Sequence, residues 1–270
     1  MDAGLKDKNV LITGSSGGIG GDTAREFAQE GAKLALHGHT RMERVDKLAE
    51  EIPVECTTHK ADLTDPTETE QMFNEVKSRL GPPDALVANA GIWPREEVPI
   101  QDMNLERWQN TIAADQTSVF LCCREYFRIL QNSDLDRASL VIVGSTAAVF
   151  GEENHADYSA SKAAVTYGLT RSLKNEIVRI APEGRVNAVC PGWTKTEMAE
   201  PEIHDPELVR ETLQTRSLQS LGSPEDIARS IVFLSSHRLA GHVTGQVLTV
   251  AGGMEGRLLH DRTSVDPSME

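Results

Sequence analysis

Asn9-Val-Leu-Ile-Thr13 followed by Gly14-Ser15-Ser16-Gly17-Gly18-Ile19-Gly20 is the stretch whose reading decides the fold. An apolar run too short for a helix breaks into four glycines within seven positions. A helical pattern follows over 20–30. Gly31-Ala-Lys33 then leads into Leu34-Ala-Leu-His37, a second short apolar run. Strand, glycine-rich turn, helix and strand make one β-α-β unit. Glycines let the backbone approach a pyrophosphate closely, and a helix that starts there offers free N–H groups and the positive end of its dipole. The spacing is T-G-x-x-x-G-x-G rather than G-x-G-x-x-G.

The alternation continues outward from this unit. Helical patterns cover 41–51 and 67–80, with strands over 55–60 and 84–88 between and after them. Residues 105–130 read as one long helix, or as two merged with a break. Ser139-Leu-Val-Ile-Val143, Arg185-Val-Asn-Ala-Val-Cys190 and Gln246-Val-Leu-Thr-Val250 complete the strands, and 224–235 is helical. Apolar runs alternating with helices require a parallel sheet covered on both faces, a doubly wound α/β architecture. No linker or internal repeat interrupts it, so the reading is one domain over 1–255, with a polar tail over 256–270 that frays. Ligands of such sheets lie beyond the carboxyl ends of the strands. Gly14 to Gly20, Asp62-Leu63, Asn89-Ala90-Gly91, Gly144-Ser145 and Pro191-Gly192 each follow a strand, on that one edge.

A formal net charge of −14 argues against a nucleic-acid or anionic-membrane surface, which would need clustered Lys and Arg. The first eight residues are too polar for the apolar core of a secretory signal, and no apolar run approaches a membrane span. Cys56, Cys122, Cys123 and Cys190 show no C-x-x-C spacing, which fits buried free thiols in a reducing, cytoplasmic setting. The eight histidines show no metal-ligand spacing, so no metal site is expected.

Tyr158-Ser-Ala-Ser-Lys162 opens a segment of helical pattern that runs to about residue 179. Four residues apart on a helix, Tyr158 and Lys162 share a face. A fixed ammonium favours the phenolate and so makes the phenol easier to ionise, which suits general acid–base work.

Taken together, Thr13-Gly14-x-x-x-Gly18-Ile19-Gly20, Asp62-Leu63, Asn89-Ala90-Gly91, Ser145, Tyr158-x-x-x-Lys162, Pro191-Gly192 and Thr196 resemble the short-chain dehydrogenase/reductase family over nearly the whole chain. The resemblance implies a Rossmann-type fold and hydride transfer between a nicotinamide and an alcohol/carbonyl pair. It implies that Tyr158 exchanges a proton with the substrate oxygen, that Ser145 hydrogen-bonds that oxygen, and that Lys162 lowers the tyrosine pKa and binds the nicotinamide ribose. Gly14, Ser16, Gly18, Ile19, Gly20, Asp62, Leu63, Asn89, Ala90, Gly91, Pro191, Gly192, Thr194 and Thr196 would hold the dinucleotide. Dimers or tetramers are implied too, through the segment that contains Cys122-Cys123.

One position departs from the family. Where members carry a catalytic Asn seven residues after Trp108, this chain has Asp115, which accepts hydrogen bonds but donates none when ionised. At the end of the second strand, Gly38 stands where NAD-dependent members carry Asp. His39, Thr40 and Arg41 follow it, with a hydroxyl and a guanidinium suited to a 2′-phosphate. This favours NADP(H) and leaves NAD(H) open. The segment looks like that of 3-oxoacyl-acyl-carrier-protein reductases. Trp93, Phe150, His155 and Trp193 are expected to border the substrate, under a mobile flap over 201–221. Such apolar and aromatic walls fit a ketone or secondary alcohol of modest polarity. The leading reading is an NADP-dependent reductase of a small-molecule ketone or 3-oxoacyl group. The alternatives are an NAD-dependent secondary-alcohol or polyol dehydrogenase, and a dinucleotide-binding sensor or scaffold with impaired chemistry.

Overall fold

The computed structural model describes residues 2–268. The last two residues of the expected tail, and the side chains of Pro201 and Glu202 at the start of the expected flap, lie outside the described residues. In chain order the elements are β1 (Asn9–Ile12), α1 (Gly18–Gln29), β2 (Lys33–Gly38), α2 (Met42–Glu51), β3 (Cys56–Lys60), α3 (Pro66–Leu80) and β4 (Ala85–Ala88). Then come α4 (Leu105–Ile112), a π-helical turn (Ala113–Thr117), α5 (Ser118–Gln131), β5 (Ser139–Val143), α6 (Ala147–Phe150) and α7 (Ala156–Ala163). A second π turn (Ala164–Leu169), α8 (Thr170–Ile177) and β6 (Arg185–Pro191) follow. The rest is α9 (Glu200–Ile203), α10 (Pro206–Gln214), α11 (Pro224–Ser235), α12 (His237–Ala240), β7 (Val247–Val250) and a 3₁₀ turn (Arg262–Ser264).

The strands form one parallel sheet in the order β3-β2-β1-β4-β5-β6-β7. Side chains alternate between the faces, as a period of two dictates. Leu11, Leu86, Leu140 and Ile142 enter the core shared with α3 and α5. Val10, Ile12, Val87 and Val141 enter the core shared with α1 and α11. Both faces are covered, and β4, β5 and β6 are buried along their whole length. The order reverses between β1 and β4, which is where a doubly wound sheet opens a crevice.

Helix starts differ in how their free N–H groups are met. α3 is capped by Asp65, which accepts from Thr67 N and Glu68 N; α10 is capped by Asp205, and α11 by a Ser223–Asp226 capping box. α1 begins at Gly17 with no side-chain cap and no acid in its first turn. Its first N–H groups therefore face the crevice unsatisfied by the protein's own side chains.

The segment of the expected flap over 201–221 contains α10 and most of α9. One expectation changes. The tail from 256 is docked rather than frayed: Leu259 N donates to Gln214 O at 2.7 Å, Gln214 Nε2 donates to His260 O at 3.1 Å, and Val265 is buried with Val209 and Leu213. Arg262 also pairs with Glu207. A polar segment stays ordered here because backbone bonds and one apolar anchor offset its loss of freedom. Among the described residues no helix is long and apolar enough to cross a membrane, and no cluster of His, Cys, Asp and Glu is placed to hold a metal.

Candidate active site

The carboxyl ends of the strands open on one cleft of about 920 Å³. The end of the cleft at the glycine turn is built around the main chain. Gly14 has φ +69°, a left-handed value that favours glycine. A Cβ on Gly20 would lie 2.3 Å from Gly14 O, and one on Gly18 would lie 3.0 Å from Thr196 Cγ2. Asn89 locks the turn to β4, its Nδ2 donating to Thr13 O at 2.9 Å and Gly14 O at 3.2 Å. Thr13 Oγ1 accepts from the N–H groups of Asn89 and Ala90, each at 3.0 Å. Gly14 N donates to His37 Nδ1 at 3.1 Å, so the other ring nitrogen carries the proton and donates to Ala61 O at 3.0 Å. Burial holds His37 down to about 4, neutral near pH 7.

Ser16, Ile19, His39, Thr40, Arg41, Asp62, Leu63, Gly91, Pro191, Gly192, Thr194 and Thr196 line the same cleft. Asp62 Oδ1 accepts from Thr64 Oγ1 at 2.7 Å and Thr64 N at 2.9 Å, and these bonds hold its carboxyl below the usual range. Arg41 and Arg44 both donate to Glu197 Oε2, Arg41 at 3.1 Å. All three side chains are about half exposed, and such pairs are weak. The two guanidiniums are thus held together at the cleft edge by one exposed carboxylate.

At the other end, β5 delivers Ser145 and α7 delivers Tyr158 and Lys162 to the cleft. Lys162 Nζ lies 5.7 Å from the Tyr158 ring centroid, 3.4 Å from Val143 O and 3.8 Å from Asp115 Oδ1. The Tyr158 phenol is pushed above its ordinary value by burial; the Ser145 hydroxyl beside it works the other way, and the Asp115 and Glu152 carboxylates add to the rise. In the protein alone burial dominates, so spacing to the lysine does not by itself set the phenol's ionisation.

Asp115 does not line the cleft. The π turn carries it behind Gly91, where Oδ1 accepts from Ile92 N at 2.8 Å and Oδ2 is buried with no partner among the described residues. Burial raises its carboxyl pKa, and Lys162 opposes that rise. A Cβ on Gly91 would meet Asp115 Oδ1 at 2.5 Å and Lys162 Nζ at 3.0 Å, so only glycine fits above this pair. π turns recur at functional sites because the extra residue re-aims a side chain.

Two expected substrate contacts are corrected. Phe150 ends α6 on the exterior, 41% exposed, and is not part of the cleft wall. His155 is buried behind the wall, stacked on Trp93 at 5.3 Å between centroids, with Nε2 2.8 Å from Pro94 O. Trp93 and Trp193 do line the cleft.

Sequence reasoning missed Arg44, Glu197 and Glu152, which line or edge the cleft, and the role of His37 in seating the glycine turn. Arg44 follows Arg41 at i+3, a helical signal that was available; the others depend on tertiary contacts. Asp157, next to Tyr158, is fully buried and accepts from Thr111 Oγ1 at 2.7 Å and Arg107 Nε at 3.1 Å, tying α7 to α4.

A family model described as Enoyl-(Acyl carrier protein) reductase matches residues 14–255. The chain is 33% identical over 255 residues to a 3alpha-hydroxysteroid dehydrogenase of Mediterraneibacter gnavus, covering 92% of this chain and 97% of the relative. It is 35% identical to a 3-oxoacyl-[acyl-carrier-protein] reductase FabG of Thermotoga maritima, covering 93% and 98%. To a Glucose 1-dehydrogenase of Gluconobacter oxydans it is 32% identical, covering 94% and 96%. Agreement over nine-tenths of both chains, on a parallel sheet of this order, means that the protein belongs to the short-chain dehydrogenase/reductase family, as an oxidoreductase that interconverts a carbonyl and an alcohol.

Proposed function

We propose that the protein is an NADP(H)-dependent carbonyl reductase in which Tyr158 is the proton donor. The reading is carried by one observation: Ser145, Tyr158 and Lys162 line the same cleft as an uncapped helix start, a glycine turn with no room for a Cβ, and Arg41. The residues fit a dinucleotide. Backbone N–H groups at the start of α1 would take the pyrophosphate, Asp62 and Leu63 the adenine, Lys162 the nicotinamide ribose, and Thr196 the carboxamide side. Arg41 and Arg44 would take a 2′-phosphate in place of Glu197. When bound, the nicotinamide supplies the hydride that reaches the carbonyl carbon.

Tyr158 then gives its phenolic proton to the carbonyl oxygen, so that one hydride and one proton yield the alcohol. Ser145 donates a hydrogen bond to the same oxygen and fixes its direction. A phenol held high by burial is protonated at neutral pH, which suits reduction. Lys162, with its ammonium near the ring, stabilises the phenolate left behind. Oxidation of the alcohol is the same path reversed. Cys122 and Cys123 are buried in the core, while Phe120 on the same helix is 46% exposed and available for association of copies through α5.

One observation favours NAD(H) instead: Glu197 occupies both guanidiniums. Initial rates with NADPH and NADH across a panel of ketones decide between them. A preference for NADPH of about tenfold or more is expected, and a preference for NADH overturns the cofactor reading. Tyr158→Phe is expected to cut turnover by about 100-fold or more while NADPH binding, read by fluorescence, stays within about twofold. Retained turnover in that variant removes Tyr158 from the mechanism.

A further inference from the structure

Glu152 lies on the turn after α6, seven residues beyond Ser145, and faces the cleft that Ser145 and Tyr158 line. Its position is set by groups from two loops. Oε1 accepts from Trp93 Nε1 at 2.9 Å and stands 3.5 Å from His155 Nδ1. His155 stacks on Trp93 and is itself held at the Pro94 carbonyl, 2.8 Å from Nε2. The backbone of Glu152 is tied to α7, its N–H donating to Ser159 Oγ at 3.0 Å. Oε2 has no hydrogen-bond partner among the described residues and is not sealed from the cleft.

Burial raises the Glu152 pKa, and the Trp93 N–H and His155 oppose that rise; in its ionised form the carboxylate accepts hydrogen bonds and donates none. A ligand group that meets Oε2 must therefore bring an O–H or N–H. An apolar chain in the same place would take water from the carboxylate and leave it unpaired, a cost that sites built around a polar group use to reject analogues lacking the partner. Trp93 supplies an apolar face beside it, suited to a carbon skeleton. Modestly polar walls are thus only half of the substrate end.

We infer that Glu152 is the specificity-determining residue of this cleft, and that it selects substrates with a hydroxyl next to the reacting carbon: α-hydroxyketones in one direction, vicinal diols in the other. The inference rests on the assignment of Tyr158 and Ser145 to the reacting oxygen.

The test compares hydroxyacetone with butanone, which replaces the hydroxyl by a methyl group, using the full chain and its Glu152→Gln and Glu152→Leu variants. The wild type is expected to favour hydroxyacetone by about tenfold or more in kcat/KM. Gln, whose amide oxygen still accepts, keeps part of the preference. Leu abolishes or inverts it, chiefly through KM. Calorimetric titration of propane diol and propanol onto each protein with the oxidised cofactor gives a second readout, and cofactor titration reports that the variants are folded. A wild type that treats the two ketones alike, or a Leu variant that keeps the wild-type ratio, overturns the inference. If no ketone is reduced at all, the catalytic assignment fails, and the ratio of diol to monoalcohol affinity still decides the role of Glu152.

Discussion

The two ends of the cleft hold their shape by opposite means. At the nucleotide end, position comes from a backbone turn that leaves no room for added atoms: the Asn89 and His37 side chains bond to the main chain of the Gly14 turn, and Gly20 has no space for a methyl group. At the substrate end, position comes from side chains that join distant segments. Trp93 meets Glu152 and His155, Arg107 meets Asp157, and the buried Arg216 guanidinium donates to Trp193 O. The first kind of construction tolerates no added atom and is indifferent to most neighbouring side chains. The second accepts substitution at the cost of moving the pocket, which is how relatives of one fold can carry different substrates.

The sharpest way to break this comparison is to add one carbon to each end. Gly20→Ala forces a Cβ against Gly14 O, and should lower dinucleotide affinity by about 100-fold and cost about 1–3 kcal/mol in stability, as overpacking does. Fluorescence titration and denaturant melts measure both. Normal binding in this variant would show that the turn adapts and that the two ends do not differ in kind.

A gentler probe is acid. His37 is held to about 4 in the folded chain against 6.5 as a free side chain, so the unfolded chain binds a proton in that window that the folded chain refuses. The contribution is therefore fully present above about pH 6.5 and is lost as pH falls through 4, amounting to roughly 3 kcal/mol. Denaturant unfolding between those pH values should show a steeper fall for the wild type than for His37→Gln. Equal slopes would mean that the ring is not the acid-sensitive link in the nucleotide end.

The smallest effect is expected between the two ends. Asp115 raises the Tyr158 pKa, so Asp115→Asn removes a charge and should let the phenol ionise at lower pH. The alkaline limb for reduction, and the onset of oxidation, then both move toward lower pH. An unchanged pH–rate profile would show that Asp115 serves only to hold Ile92 N and the ceiling under Gly91.

Much of this was legible in the chain itself. The strands and helices announce themselves by period, and Tyr158 and Lys162 fall on one helical face at a spacing that needs no tertiary knowledge. The possible break within 105–130 is the π turn at Asp115. Phe150 and His155 misled because a loop position close to the cleft in sequence says nothing about which way its side chain turns. The docked tail was illegible for a similar reason: Val265 is the one buried apolar anchor among its described residues, and its partners Val209 and Leu213 lie over fifty residues away.

Sequence alone determined the succession of strands and helices along the chain, the glycine turn and the phenol–ammonium pair, because each rests on local period or on backbone freedom that a few neighbouring residues specify. Only the tertiary structure decided that burial dominates at Tyr158, that Glu197 bridges Arg41 and Arg44, and that Glu152 lies on the cleft wall with one carboxylate oxygen unpaired among the described residues. Those outcomes depend on the solvent exclusion and charge that distant segments bring to one point, and no short stretch of chain encodes them.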